Sequence, residues 1–141
     1  MHWLTSAFMI DGGAFWQYCP IVWLGFGIYF GLFWGATTFL SFFFLPGVRR
    51  CLAFAGWTIL FEYARSQLFS GFPWNPIGNI WNPILPVMQT TSVIGIYGLS
   101  GLTVLFFSLL SFGYKKKTTL VALIIACLVF LGGYARLHFQ G

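Results

Sequence analysis

Four long apolar stretches, separated by short polar or basic breaks, set the pattern of this chain. The first runs from about residue 21 to 45, bracketed by Pro20 and Pro46; the others cover about 51–69, 93–112 and 118–134. Roughly 20 apolar residues carry a helix across the hydrocarbon core of a bilayer, so each stretch is long enough to span. The pattern predicts an all-α, polytopic membrane helix bundle of about four transmembrane helices. Residues 21–135 form the bundle, residues 1–20 an outer interfacial segment, and residues 136–141 the start of a linker. Arg49-Arg50 separates the first two spans and Lys115-Lys116-Lys117 the last two. Basic clusters between spans favour the cytoplasmic side. Two crossings separate the clusters, so both fit that side. Both chain ends and residues 71–91 are then expected on the outer face.

The outer segments have their own patterns. Trp3, Phe8, Phe15, Trp16 and Tyr18 make the N-terminal stretch aromatic, and Asp11-Gly12-Gly13 breaks it; such a segment is expected to lie along the interface. Trp74-Asn75-Pro76-Ile77 recurs as Trp81-Asn82-Pro83-Ile84. Prolines at 73, 76, 83 and 86 preclude a regular helix there. Two similar turns with tryptophans in the headgroup layer are expected, making an aromatic, proline-rich outer loop. In the first span Gly27, Gly31 and Gly35 recur every four residues, and Gly95, Gly98, Ser100 and Gly101 open the third. Small residues at such spacing allow close helix packing.

Composition strengthens this picture. Hydrophobic residues make up 59% of the 141 positions and charged residues 6%; a soluble domain carries roughly 25% charged residues, which excludes that class. The net charge of +5 is spread over short clusters beside apolar runs, not a broad patch, so nucleic-acid binding is excluded. No basic region precedes an early apolar run, so no cleavable secretory signal is expected. Cys19 and Cys51 fall on opposite sides of the predicted bilayer and Cys127 within it. No disulfide, CxxC motif or zinc spacing follows, and all three are expected to be small buried hydrophobes.

Glu62 is one of only two acidic residues and lies inside the second span, with Arg65 three residues on. At i, i+3 on a helix they share a face and can pair. One reading makes them a neutralising ion pair that locks the span against its neighbours. The other places them in a polar cleft, with Arg65 meeting a lipid phosphate. Gln89, Thr90 and Thr91 could add hydrogen bonds, although such residues commonly serve helix starts. Neither a Cys–His pair from Cys19, His2 and His138 nor a metal site from His2, Asp11 and His138 has supporting spacing. No catalytic residue, metal or cofactor is expected within the chain.

Phe61-Glu62-Tyr63-Ala64-Arg65, then Gly71-Phe72-Pro73-Trp74-Asn75, then Gln89 and Gly95-Ile96-Tyr97-Gly98-Leu99-Ser100, resemble apolipoprotein N-acyltransferases. That family carries E-x-x-R, G-F-P-W, a downstream Q and G-x-Y-G-x-S in this order. Trp3-Leu4 and Asp11-Gly12-Gly13 resemble the family's outer loop before its middle spans, and Gly133-Tyr134-Ala135-Arg136-Leu137 the exit toward its extracytoplasmic domain. The similarity covers nearly the whole chain.

The resemblance implies a bacterial inner-membrane protein. The family transfers a fatty acyl chain from phospholipid to the N-terminal amine of diacylglyceryl-cysteine in apolipoproteins, through an acyl-thioester enzyme intermediate. It does so with a nitrilase-like Glu-Lys-Cys domain, which would begin about where this chain stops. The family's first spans and its final span are also unmatched, so the chain reads as a membrane-domain fragment, inactive alone. Its expected partners are membrane phospholipid, diacylglyceryl-apolipoprotein in the complete enzyme, and a separately encoded nitrilase-like domain. Glu62, Arg65, Phe72, Pro73, Trp74, Gln89 and Tyr97 are the implied lipid-access or structural motif. The alternative is a non-catalytic membrane scaffold or lipid-binding protein; transport is disfavoured, because only the second span carries charge at depth.

Overall fold

The computed structural model describes residues 16–68, 75–111 and 116–139. Phe72, Pro73, Trp74, Lys115 and residues 1–15 of the expected interfacial segment lie outside the described residues. Every regular element among the described residues is helical. A 3-10 turn at Trp16–Tyr18 leads into α1 (Cys19–Ser41), followed by α2 (Val48–Gln67), a 3-10 turn at Ile77–Trp81, and the short α3 (Leu85–Met88). Next come α4 (Thr91–Leu110) and α5 (Lys116–Phe139). The segments Trp16–Ser41, Thr91–Leu110 and Lys117–Phe139 are long and apolar enough to cross a membrane. The 20-residue α2 has the length, but Arg49, Arg50, Glu62 and Arg65 keep it outside that apolar class.

Several helix ends differ from the apolar runs that predicted them. α1 starts at Cys19 and includes Pro20 in its first turn, a position where a missing N–H breaks no bond. It stops at Ser41, not near residue 45. Phe42, Phe43 and Phe44 donate to Phe39, Leu40 and Ser41 carbonyls in i→i−3 bonds, the tightened geometry of a helix end. Arg50 closes this end: its Nε and Nη2 reach the Phe44 carbonyl at 3.3 and 3.1 Å, and its guanidinium lies 4.8 Å from the Phe42 ring centroid. α5 runs on to Phe139, because Ala135-Arg136-Leu137 favours helix beyond the end of the apolar run. Within α4, Gly95 has φ +69° and ψ 173°, so the helix breaks where a smooth packing surface was expected. Positive φ suits glycine, which lacks a Cβ.

Polarity is inverted relative to a water-soluble protein. Thr37, Ser41, Thr58, Glu62, Arg65, Ser66, Ser100 and Thr103 are buried, whereas Val93, Leu128 and Phe139 are 76, 66 and 88% exposed. Lipid makes apolar exposure cheap and forces polar groups inward. Several buried hydroxyls satisfy themselves along their own helices: Ser41 donates to the Thr37 carbonyl and Thr58 to that of Phe54.

The chain divides at Gly35–Ala36 into two compact units. In the first, Tyr29 packs edge-on against Phe30 and Phe33 along α1. In the second, α4 is the hub, packing against α2, α5 and the Ile77–Trp81 turn, while α3 packs on α5. Cys51 of α2, Leu109 of α4 and Ala122 of α5 form a buried apolar cluster at one end of this bundle. Gly101 lets α2 and α4 approach closely, since a Cβ there would collide with the Ile59 side chain. Gly133 does the same for α5 against the Pro86 backbone.

Candidate functional site

The buried residues of α2 are Cys51, Ala55, Thr58, Glu62, Arg65 and Ser66. Their spacing of four and three keeps them on one stripe. Glu62 and Arg65 therefore do share the inward face, at 7 and 6% exposure. Yet among the described residues the hydrogen bond to the Glu62 carboxylate comes from elsewhere: the Ile77 N–H donates to Oε1 at 2.9 Å. Oε2 is buried and accepts no hydrogen bond from the described residues. The i, i+3 spacing thus sets a common face, while the carboxylate turns to the following loop.

That loop is held at two further points. Gly78 N–H donates to Ser100 Oγ at 2.9 Å, and Trp81 Nε1 donates to Thr103 Oγ1 at 2.8 Å. Ser100 and Thr103 pass their own protons to the carbonyls of Ile96 and Leu99 on α4. Both hydroxyls therefore present lone pairs toward the turn. Gly78 is buried, and a Cβ there would lie 2.9 Å from the Ile96 carbonyl oxygen, so backbone seats directly on backbone. Asn75 adopts φ +47° just before the turn. The two Trp-Asn-Pro-Ile segments are expected to place tryptophans in the headgroup layer; Trp81 instead bonds inward to Thr103.

Other candidate residues make local contacts. The Tyr97 ring meets Tyr63 edge-on, with centroids 5.9 Å apart. A Cβ on Gly98 would lie 2.8 Å from that of Ile94, so the break at Gly95 turns Ile94 onto a position that only glycine leaves open. Gln89 ends α3, and its carbonyl accepts from the Ser92 hydroxyl at 2.6 Å; Thr91 donates likewise to Met88. These polar groups build the turn from α3 into α4. Gly27, Gly31 and Gly35 have nothing within 4 Å of a Cβ position. His138 stacks against Tyr134 at 4.3 Å.

Beside the dock lies a cavity of about 420 Å³. The loop supplies Trp81, Ile84 and Val87, α4 supplies Leu99, Thr103 and Phe106, and α5 the third wall. The lining is almost wholly apolar, and the volume is within the roughly 300–1,000 Å³ of ligand pockets. Cys127 is on this wall and exposed, not buried like Cys19 and Cys51, because α5 turns that face outward.

The family profile for the apolipoprotein N-acyltransferase N-terminal domain matches residues 1–109. The chain belongs to the apolipoprotein N-acyltransferase family. It is 33% identical over 136 residues to the apolipoprotein N-acyltransferase of Brucella melitensis, covering 94% of this chain and 26% of that protein. Against that of Rhizobium leguminosarum it is 33% identical over 141 residues, covering 96% and 26%. Rickettsia bellii has one 28% identical over 144 residues, covering 98% and 29%. The chain thus spans about a quarter of the length of these apolipoprotein N-acyltransferases. No solved structure matches it.

In this member of the apolipoprotein N-acyltransferase family, residues of two of the quoted motifs meet around one turn. Glu62 of E-x-x-R holds Ile77, while Gly95, Tyr97, Gly98 and Ser100 of G-x-Y-G-x-S break, pack, clear and hold in succession. The sequence pattern did not single out Gly78 or Thr103, nor the bond from Trp81 to Thr103. The only available signal was polarity: Thr103 is a hydroxyl in an apolar span, three residues after Ser100.

Proposed function

We propose that this chain serves as the membrane region of an apolipoprotein N-acyltransferase in the bacterial inner membrane. That enzyme passes an acyl chain from phospholipid to the N-terminal amine of diacylglyceryl-cysteine, and its nucleophile belongs to a nitrilase-like domain. Here α1, α2, α4 and α5 are the crossings, with Arg49-Arg50 and the lysine triplet in the cytoplasm and both chain ends on the periplasmic side. Arg65 and residues 72–74 border the path by which lipid reaches the catalytic domain. The observation that supports this reading is that Glu62 of one membrane motif and Ser100 of another both hold one loop beside an apolar cavity.

The test joins residues 1–141 to the remainder of a relative's enzyme and measures N-acylation of a lipoprotein by mass. Gain of one acyl chain is expected. A stably inserted chimera that leaves the amine free overturns the reading. In an active chimera, Arg65→Ala should lower transfer at least tenfold, the scale of losing a charge-assisted contact to phosphate. Unchanged folding and rate would remove Arg65 from the role. The cavity also suits a lipid-binding protein without catalysis, which would retain phospholipid through purification yet support no transfer.

A further inference from the structure

We infer that Glu62 is a positioning residue that latches the Ile77–Trp81 turn as a hydrogen-bond acceptor. Its ion-pairing capacity is not what the latch uses. The first N–H groups of a helical turn have no partner within it. Pro76 precedes this turn and its side chain caps nothing. The turn's first two donors, Ile77 and Gly78, are instead taken by Glu62 Oε1 from α2 and Ser100 Oγ from α4. Two different helices thus perform the work of one N-cap residue, and neither acceptor is near the turn in sequence. Trp81 completes the seat at the turn's other end, through Thr103. One carboxylate oxygen holds the turn, and Oε2 accepts no hydrogen bond among the described residues. The geometry therefore needs a single planar acceptor at the end of a two-methylene side chain, which glutamine also provides.

The role is independent of acyl transfer and is read on the full 141-residue chain in phospholipid nanodiscs by amide hydrogen exchange. In Glu62→Ala the Ile77 amide should exchange at least about tenfold faster, the order expected for losing a buried hydrogen bond. In Glu62→Gln it should stay within about threefold of wild type. Ser100→Ala gives a separate arm, in which Gly78 exchanges faster. Equal exchange of Ile77 in wild type and Glu62→Ala overturns the proposal. Glutamine exchanging as fast as alanine also overturns it, because the charge would then be essential. Should Glu62→Ala fail to fold, Glu62→Gln and Ser100→Ala decide: slow Ile77 exchange in the first and fast Gly78 exchange in the second support the latch, and either opposite result overturns it.

Discussion

A methyl group at Gly78 would lie 2.9 Å from the Ile96 carbonyl oxygen and 3.3 Å from the Ser100 nitrogen. Both neighbours are backbone and cannot rotate away. Gly78→Ala should therefore unseat the turn and destabilise the protein by about 1–3 kcal/mol, the usual range for overpacking, as read by thermal unfolding in detergent. Gly27→Ala should be neutral or stabilising by up to about 1 kcal/mol, since its Cβ meets nothing and alanine is the better helix former. Glu62 and Ser100 were legible as special because they stand in recognisable motifs. Their partners were not: the N–H groups of Ile77 and Gly78 are backbone, and backbone carries no signature in sequence. The regular glycine stripe was easier to see than the glycines at 78 and 133, which the packing requires.

Helices as elements were far easier to read than their ends. An apolar run reports what a segment tolerates around it, whereas an end is decided by who takes the last carbonyls. For α1 the takers are the N–H groups of Phe42, Phe43 and Phe44, and Arg50, nine residues beyond the helix, secures that extension at the Phe44 carbonyl. Arg50→Ala should loosen Phe42–Phe44, seen as faster amide exchange there, and cost less than about 1 kcal/mol because the contact is exposed. The break at Gly95 was illegible for a related reason. Gly98 and Gly101 sit in the same run and remain helical, so a glycine permits a break without dictating one. Gly95→Ala should be destabilising by about 1–3 kcal/mol, because an L-residue is strained at that φ.

Across the whole molecule, the exclusion of a soluble fold followed from composition alone, and the inverted polarity agrees with it. How the helices meet did not follow, since lipid-facing and helix-facing apolar residues look alike in sequence. Two measurements bear on the assembled protein. Cysteines placed at Arg49 and Lys117 should react with a membrane-impermeant reagent from one side, and one placed at Asn79 from the other. Cys127 should react with a small apolar maleimide faster than Cys51, which is buried, and resist a charged one.

α2 carries Glu62 and, in its last turn, Arg65 on its buried face, and a charge costs up to about 2.5–3.5 kcal/mol at a helix centre on insertion scales. Some of what offsets that burden is synthesised afterwards: Ile77 for the carboxylate, then α4 for the stripe. The ribosome therefore delivers the burden before its relief. Nascent chains halted before Thr91 should leave α2 extractable by alkaline carbonate, and chains released past Ser111 should hold it fast. Biogenesis, on this view, has an obligatory order, with the second helix waiting at the translocon for the fourth.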